Sequence, residues 1–192
     1  GLVDHTMNDH YLPAVEANPT HRWTRTEQLR VAVEQGAPLG PPGKQFQYSD
    51  TGYILLGELL ERVTGRPLGA ALRAQLDYER LGLRATWLES LEPAPAGLPA
   101  RAHQLYGALD TFAWDPSMDL YGGGGLTATL GDMARYTRAL LTGAVFRRPE
   151  TLPLMQSNVI PARVGTGARA RDFGLGLYAQ TLAGERAWGH SG

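Results

Sequence analysis

A change of periodicity at Asp50 is the feature that most constrains how this chain can fold. Before it, residues 42–48 begin with a Pro-Gly turn signal and then alternate aromatic and polar side chains, which is typical of a short extended segment. After it, residues 54–63 carry apolar side chains at helical spacing, and a glycine and a proline end the run. Ser49 or Asp50 suits the N-cap of that helix, because a short side-chain oxygen accepts a hydrogen bond from a free amide of the first turn. The pattern predicts a corner between an extended segment and a helix, with the Tyr48 phenol held at it.

The residues of this corner leave two interpretations open. Tyr48 could be a partly buried aromatic residue beside a helix cap, or its phenol could be aimed at a functional site. Other stretches of the chain bear on the choice, because the order and spacing of several short motifs are more specific than any one motif.

Four stretches together resemble the class C β-lactamase and D,D-peptidase-like serine hydrolases. Residues 42–57, Pro-Gly-x-x-Phe-x-Tyr-Ser-Asp-x-Gly-Tyr-x-x-Leu-Gly, look like the family's Tyr-x-Asn element. Residues 188–192, Trp-Gly-His-Ser-Gly, resemble the His-x-Gly variant of its third element. Residues 122–136 are similar to its Gly-Gly-Leu segment with the helix that follows, and Gly1-Leu2 resembles the end of its Thr-Ser-Gly-Leu turn. The resemblance covers nearly the whole chain.

The family's first element, Ser-x-x-Lys, is missing from these 192 residues. Lys44 is the only lysine, and the residue three positions before it is Pro41. The sequence also starts and stops inside motifs. The resemblance therefore implies an internal fragment of a longer enzyme, whose N- and C-terminal segments complete the same domain.

The resemblance assigns roles to the matching residues. Tyr48 would be the proton shuttle between the serine, the leaving group and water. Because a free phenol has a pKa of about 10, it acts as a base only beside positive charge, which the missing lysine would supply. His190, if protonated, would be a second cation, or it would pair with Tyr48 or a substrate carboxylate. Ser191 and Gly192 would border the substrate. We expect Tyr48 and His190 to converge on one cleft.

Asp50 departs from the asparagine that the family usually has at this position. Asparagine both donates and accepts hydrogen bonds, and in the family it binds a carbonyl of the substrate's acyl side chain, whereas an ionised aspartate only accepts. The carboxylate of Asp50 would repel such a carbonyl and would raise the pKa of Tyr48. An ester, or a substrate that presents an amine, is therefore favoured over a penicillin-like or N-acyl peptide substrate.

The predicted fold class is α+β, a single β-lactamase-like domain that is incomplete at both ends. A mostly helical lobe with loops is predicted over about residues 1–170, and two antiparallel strands over about 171–192. The predicted elements are helices over 24–36, 51–64, 67–80, 129–143 and 149–157, strands over 173–179 and 186–190 with a hairpin turn at 183–185, a surface loop over 1–23, an irregular loop over 89–120, a close backbone passage over 122–125 and a mobile loop over 161–171.

Composition excludes several classes of partner and cofactor. The net charge of −1 argues against a nucleic-acid partner, and no apolar run is long enough to span a membrane. The absence of cysteine excludes thiolate metal sites, and His5, His10 and His21 lack the spacing of a helical metal site. No metal or organic cofactor is expected.

The predicted function is that of a serine hydrolase which forms an acyl-enzyme with an ester, a D-amino-acid peptide or a β-lactam-like substrate. Its partner would be a small molecule or short peptide. The alternative is a pseudoenzyme or binding module that kept the fold and lost the nucleophile. A Ser-x-x-Lys element upstream of Gly1 would distinguish an enzyme from a binding module.

Overall fold

A computed structural model describes residues 1–157, 160–164 and 170–191. Its α-helices are α1 (Tyr11–Ala17), α2 (Arg25–Glu34), α3 (Asp50–Thr64), α4 (Leu68–Leu76), α5 (Tyr78–Leu81), α6 (Leu130–Leu141) and α7 (Thr151–Met155), with 3₁₀ turns at His5–Met7 and Pro116–Asp119. Its strands are β1 (Thr86–Leu88), β2 (Leu105–Tyr106), β3 (Leu109–Asp110), β4 (Leu126–Ala128), β5 (Arg163–Val164), β6 (Arg171–Phe173), β7 (Tyr178–Leu182) and β8 (Glu185–Gly189). The fold class is α+β, as predicted.

Side-chain caps set the starts of α2, α3, α5 and α6. Thr24 and Glu27 form a capping box at the start of α2, and the Ser49 side chain accepts a hydrogen bond from the amide of Gly52 at the start of α3. The prediction of one helix over 67–80 is wrong. Asp77 takes a left-handed conformation, with φ of 51°, and its side chain accepts from the amide of Arg80, so it ends α4 and caps α5.

The strands form two small pairs and one larger sheet within the described residues. β1 pairs with β4, β2 pairs with β3, and β5, β6, β7 and β8 form an antiparallel sheet in that order. The predicted hairpin turn is present between β7 and β8, but the predicted strand over 173–179 is wrong. The amide of Gly174 bonds to the Leu177 carbonyl at 2.8 Å and Gly176 has φ of 70°, so this stretch is a turn between β6 and β7. Residues 165–169 of the predicted mobile loop lie outside the described residues.

The N-terminal segment is not the surface loop that its sequence predicts. His5 and Tyr11 are buried, and the Tyr11 hydroxyl donates to the Met118 carbonyl at 2.6 Å. The segment forms a 3₁₀ turn and α1, and both pack inward. Contacts with residues far along the chain stabilise these short helices, so their own sequence shows no local apolar periodicity.

The backbone at residues 121–122 passes very close to the backbone of α3, beside the core. Leu68, Leu88 and Leu120 form the buried cluster beside α3. A Cβ atom on Gly57 would overlap the carbonyl oxygen of Tyr121, and one on Gly122 would overlap that of Tyr53. The glycine run at residues 122–125 is thus a close backbone passage, as predicted. It holds the 3₁₀ turn at Pro116–Asp119 against α3.

Two helices present apolar faces to solvent. On α6, Met133 is 55% exposed and Leu141 is 37% exposed, while Asp132 is buried. On α3, Leu56 and Leu59 are 57% and 54% exposed. None of the described helices combines the length and apolar character that crossing a membrane requires.

Candidate active site

The corner that carries Tyr48 is built by the cap of α3. Ser49 has extended backbone angles, φ −156° and ψ 114°, and helical geometry begins at Asp50. This change of direction turns the phenol of Tyr48 back over the first helical turn, where it donates a hydrogen bond to Asp50 Oδ1 at 3.0 Å. The Tyr48 hydroxyl and the Asp50 carboxylate therefore form one hydrogen-bonded unit.

His190 reaches the same place from the end of β8. Its ring centroid lies 5.8 Å from that of Tyr48 and 5.5 Å from that of Tyr178. Its Nδ1 lies 2.5 Å from the Ser191 carbonyl oxygen, which fixes the ring and leaves Nε2 for another partner. Tyr48 and His190 both line a cavity of about 440 Å³. Two motifs separated by more than a hundred residues thus face one cavity.

The electrostatic surroundings oppose ionisation of the phenol. Burial raises the pKa of Tyr48, and the charge of Asp50 and the hydrogen bond to it raise that pKa further. Within the described residues, no lysine or arginine forms a hydrogen bond with the Tyr48 hydroxyl. The phenol is therefore protonated at neutral pH and requires an added cation before it can accept a proton.

Two carboxyl groups beside the phenol also have raised pKa values. Burial raises the pKa of Asp50, and Asp4 adds to this, while the Tyr48 hydrogen bond and His190 oppose it. The pKa of Asp119 is raised to about 6, by withdrawal from water and by repulsion from Asp50 and Asp4. Although part of Asp119 faces solvent, its carboxylate lies so close to the glycine run that a Cβ on Gly123 would be 2.7 Å from Oδ1. The site is rich in negative charge.

Most of the site residues predicted from the sequence lie among the described residues. Tyr48, Asp50 and His190 lie together, Ser191 follows as an exposed residue, and Gly192 lies outside the described residues. Sequence reasoning missed Asp119, Tyr53 in the cavity wall, and the buried Asp4 and His5. The one sequence signal for Asp119 is that an acidic residue stands shortly before the glycine run at residues 122–125. Within the described part of the chain, no group of three or more His, Asp or Glu residues could hold a metal ion.

The raised pKa of Asp119 predicts a pH-dependent gain in stability for Asp119→Asn. Between about pH 4 and pH 6 the folded protein keeps a proton that the unfolded chain has released, so the free energy of unfolding falls as pH rises through this window. Because asparagine does not ionise, Asp119→Asn keeps the free energy of unfolding that the wild type loses in this pH window. We expect its Tm to exceed that of the wild type at pH 7.5 and to match it near pH 4.

Thermal melts of both proteins across this range check the expectation. Asp9→Asn, at an exposed aspartate of the N-terminal segment, is the control and should show no such pH-dependent gain. An Asp119→Asn Tm that equals or falls below the wild-type Tm at pH 7.5 would contradict the raised pKa.

Sequence comparison matches the chain to one family profile and to relatives with named activities. The profile of the Beta-lactamase family matches residues 1–192. A D-aminopeptidase of Cereibacter sphaeroides (strain KD131 / KCTC 12085) is 30% identical over 182 residues, which cover 94% of this chain and 33% of that protein. Esterase EstB of Burkholderia gladioli is 31% identical over 167 residues, covering 76% of this chain and 42% of that protein.

Solved structures show the same likeness in three dimensions. A D-stereospecific amidohydrolase from Streptomyces sp. superposes with a TM-score of 0.78 at 26% identity, covering 99% of this chain and 57% of that one. The D-amino acid amidase from Ochrobactrum anthropi SV3, complexed with D-phenylalanine, gives 0.71 at 25% identity and covers 88% of this chain and 50% of that one. The chain spans about a third of the length of the first curated relatives and about half of these solved structures.

Proposed function

The chain belongs to the beta-lactamase family, and from this premise we propose that it supplies the Tyr48, Asp50 and His190 part of the active site of a serine hydrolase. The observation that carries the proposal is the convergence of Tyr48 and His190 on one cavity, with ring centroids 5.8 Å apart.

The chemistry proceeds by acyl transfer. A serine oxygen attacks the carbonyl carbon of the substrate, the bond from that carbon to the leaving nitrogen or oxygen breaks, and an acyl-enzyme ester forms. Tyr48 passes the serine proton to the leaving group, and water later cleaves the ester by the reverse route. A lysine beside the phenol supplies the positive charge that lowers its raised pKa. His190 stabilises charge at the same cleft.

The serine and lysine come from a segment outside these 192 residues, and the apolar face of α3 supports this part of the proposal. None of the five serines is followed three positions later by a lysine. The cavity that holds Tyr48 and His190 continues along Leu2, Leu56 and Leu59. All three leucines are exposed, and exposed apolar side chains grouped beside a site suit a surface that another part of the protein covers. The segment that carries Ser-x-x-Lys would cover it and reach Tyr48.

The negative charge around Asp50 and Asp119 favours a substrate with a free amine. An ammonium group is attracted by these carboxylates, whereas the carbonyl of an N-acyl group is repelled by them. The named relatives include a D-aminopeptidase and a D-amino acid amidase. We infer that the preferred substrates are amides or short peptides of D-amino acids with a free amine, followed by simple esters.

Hydrolysis of matched substrates by the full-length protein tests this proposal. D-phenylalanine amide should have a higher kcat/KM than N-acetyl-D-phenylalanine amide, with an ester such as p-nitrophenyl acetate and a β-lactam completing the set. Equal kcat/KM for the free and acetylated amides would remove the amine preference. Absence of turnover on every substrate would favour the non-catalytic alternative, a pseudoenzyme or binding module.

Asp50→Asn is expected to shift specificity rather than abolish activity. The two side chains are isosteric, so the fold is retained, while the substitution removes a negative charge and adds an N–H donor that faces the substrate. One favourable hydrogen bond gained and one repulsion lost are worth about 1–3 kcal/mol, or roughly 5- to 150-fold in relative kcat/KM. The ratio should move toward N-acyl amides and β-lactams.

The matched substrates above measure this ratio on one purified variant. An equal loss of kcat/KM on every substrate would mean that Asp50 holds the catalytic lysine instead of setting specificity. Wild-type enzyme in the same assay supplies the reference ratio.

A further inference from the structure

Both sequence neighbours of Asp50 are anchored by the N-terminal segment of the chain. The Ser49 hydroxyl donates to the Val3 carbonyl at 2.8 Å. The backbone amide of His5 donates to Thr51 Oγ1 at 2.9 Å, and His5 Nδ1 lies 3.0 Å from the same oxygen. These contacts join positions 46 residues apart in sequence. Asp50, whose carboxylate accepts the Tyr48 hydrogen bond, is thus held in place through both of its sequence neighbours.

The contact between His5 and Thr51 is fully enclosed. The His5 side chain is 0% exposed, and it packs edge-on against the Tyr11 ring with centroids 4.9 Å apart. Thr51 Oγ1 accepts the amide hydrogen of His5 and lies within hydrogen-bond distance of His5 Nδ1, and Asp4 Oδ1 lies 3.9 Å from the same ring nitrogen. His5 Nε2 has no hydrogen-bond partner among the described residues. Burial lowers the pKa of His5, against the charge of Asp4, and keeps the ring neutral.

We propose that His5 is a positioning residue for the candidate active site, which fixes Thr51 through its amide and Nδ1 and thereby sets where Asp50 and Tyr48 lie. The inference rests on the proposed function. Thr51 is in the first turn of α3, directly after Asp50, so a displacement of Thr51 would also displace Asp50. A displacement of a reacting group by about 1 Å can cost about 100-fold in rate, which makes this anchor relevant to catalysis.

Paired substitutions separate the hydrogen bond from simple packing. Thr51→Val removes the hydroxyl and keeps the shape, whereas Thr51→Ser keeps the hydroxyl. His5→Asn places an amide atom near the position of Nδ1, whereas His5→Leu fills space without a polar atom. A role in packing alone predicts that shape decides the outcome, and a positioning role predicts that the polar atom does.

In the full-length enzyme, Thr51→Val is expected to lower kcat by about 10- to 100-fold with KM changed less than about twofold. Thr51→Ser and His5→Asn should keep kcat within about threefold of the wild type, while His5→Leu should follow Thr51→Val. A wild-type kcat in Thr51→Val, or equal losses in Thr51→Val and Thr51→Ser, would overturn the inference. If His5→Leu does not fold, the two Thr51 variants still decide the matter.

A spectroscopic measurement keeps this inference separate from the proposed function. In protein labelled with ¹³C at the tyrosine Cζ, the Tyr48 signal is assigned by its loss in Tyr48→Phe. It should move in Thr51→Val and stay in place in Thr51→Ser, whether or not any substrate is hydrolysed. An unmoved signal in Thr51→Val contradicts the positioning role even in an active enzyme, and a wild-type protein without turnover contradicts only the proposed function.

Discussion

Tyr48→Phe is expected to lower kcat of the full-length enzyme by about 10²- to 10⁴-fold, the range for loss of a general acid–base group. The ring stays, so its contacts with Tyr53 and His190 at 5.9 and 5.8 Å between centroids are kept. The hydroxyl that would carry the proton is lost, and Asp50 loses the hydrogen bond that it accepts. Substrate binding depends on other groups, so KM should change far less than kcat.

Steady-state kinetics with D-phenylalanine amide and a simple ester measure this effect, and the Tm of the variant shows that it remains folded. Tyr106→Phe is the matched control, because this phenol is exposed on the β2–β3 hairpin and should leave kcat unchanged. A Tyr48→Phe enzyme with kcat within about threefold of the wild type would remove Tyr48 from the chemistry.

Gly57→Ala is expected to destabilise the protein by about 2–4 kcal/mol, although alanine is the better helix former. The added Cβ would overlap the Tyr121 carbonyl oxygen, which is backbone and cannot rotate away. The glycine run would have to move from α3, and it carries the buried Leu120 and the Asp119 carboxylate with it. Stability and the arrangement of the site should both suffer.

The control for this substitution is Gly131→Ala, near the start of α6. A Cβ there would meet the end of the flexible Arg135 side chain at 3.4 Å and Thr129 Oγ1 at an ordinary contact distance of 3.9 Å. The helix preference of about 1 kcal/mol is therefore free to stabilise the variant. Chemical denaturation of both variants gives the two free energies of unfolding. Equal effects in the two variants would show that the approach of the glycine run to α3 is not tight.

Features that depend on neighbouring residues could be predicted from the sequence. The cap of α3 at Ser49, the start of α2 near Thr24 and the turn between β7 and β8 each follow from a few side chains close in sequence. The same holds for the position of Tyr48 at a corner. The family motifs also predict that His190 lies near Tyr48, because they relate two positions that are far apart in sequence.

Features that depend on distant contacts were missed. His5 is paired with Thr51, and the Tyr11 hydroxyl with the Met118 carbonyl, so the fold of the N-terminal segment is set by residues far away in sequence. Asp119 became part of the site only because the glycine run packs against α3. On α6, apolar periodicity indicates which face needs a partner but not whether this chain supplies one, and Met133 and Leu141 are exposed. The division into a helical lobe over about 1–170 and a strand pair over about 171–192 stays a prediction.

Covalent labelling with a fluorophosphonate, followed by mass spectrometry of the labelled peptide, locates the nucleophile. We expect the full-length protein to be labelled on a serine outside residues 1–192 that is followed three positions later by a lysine. The 192-residue chain alone should not be labelled and should hydrolyse no ester. Labelling of Ser49, Ser90, Ser117, Ser157 or Ser191, or turnover by the chain alone, would contradict this expectation.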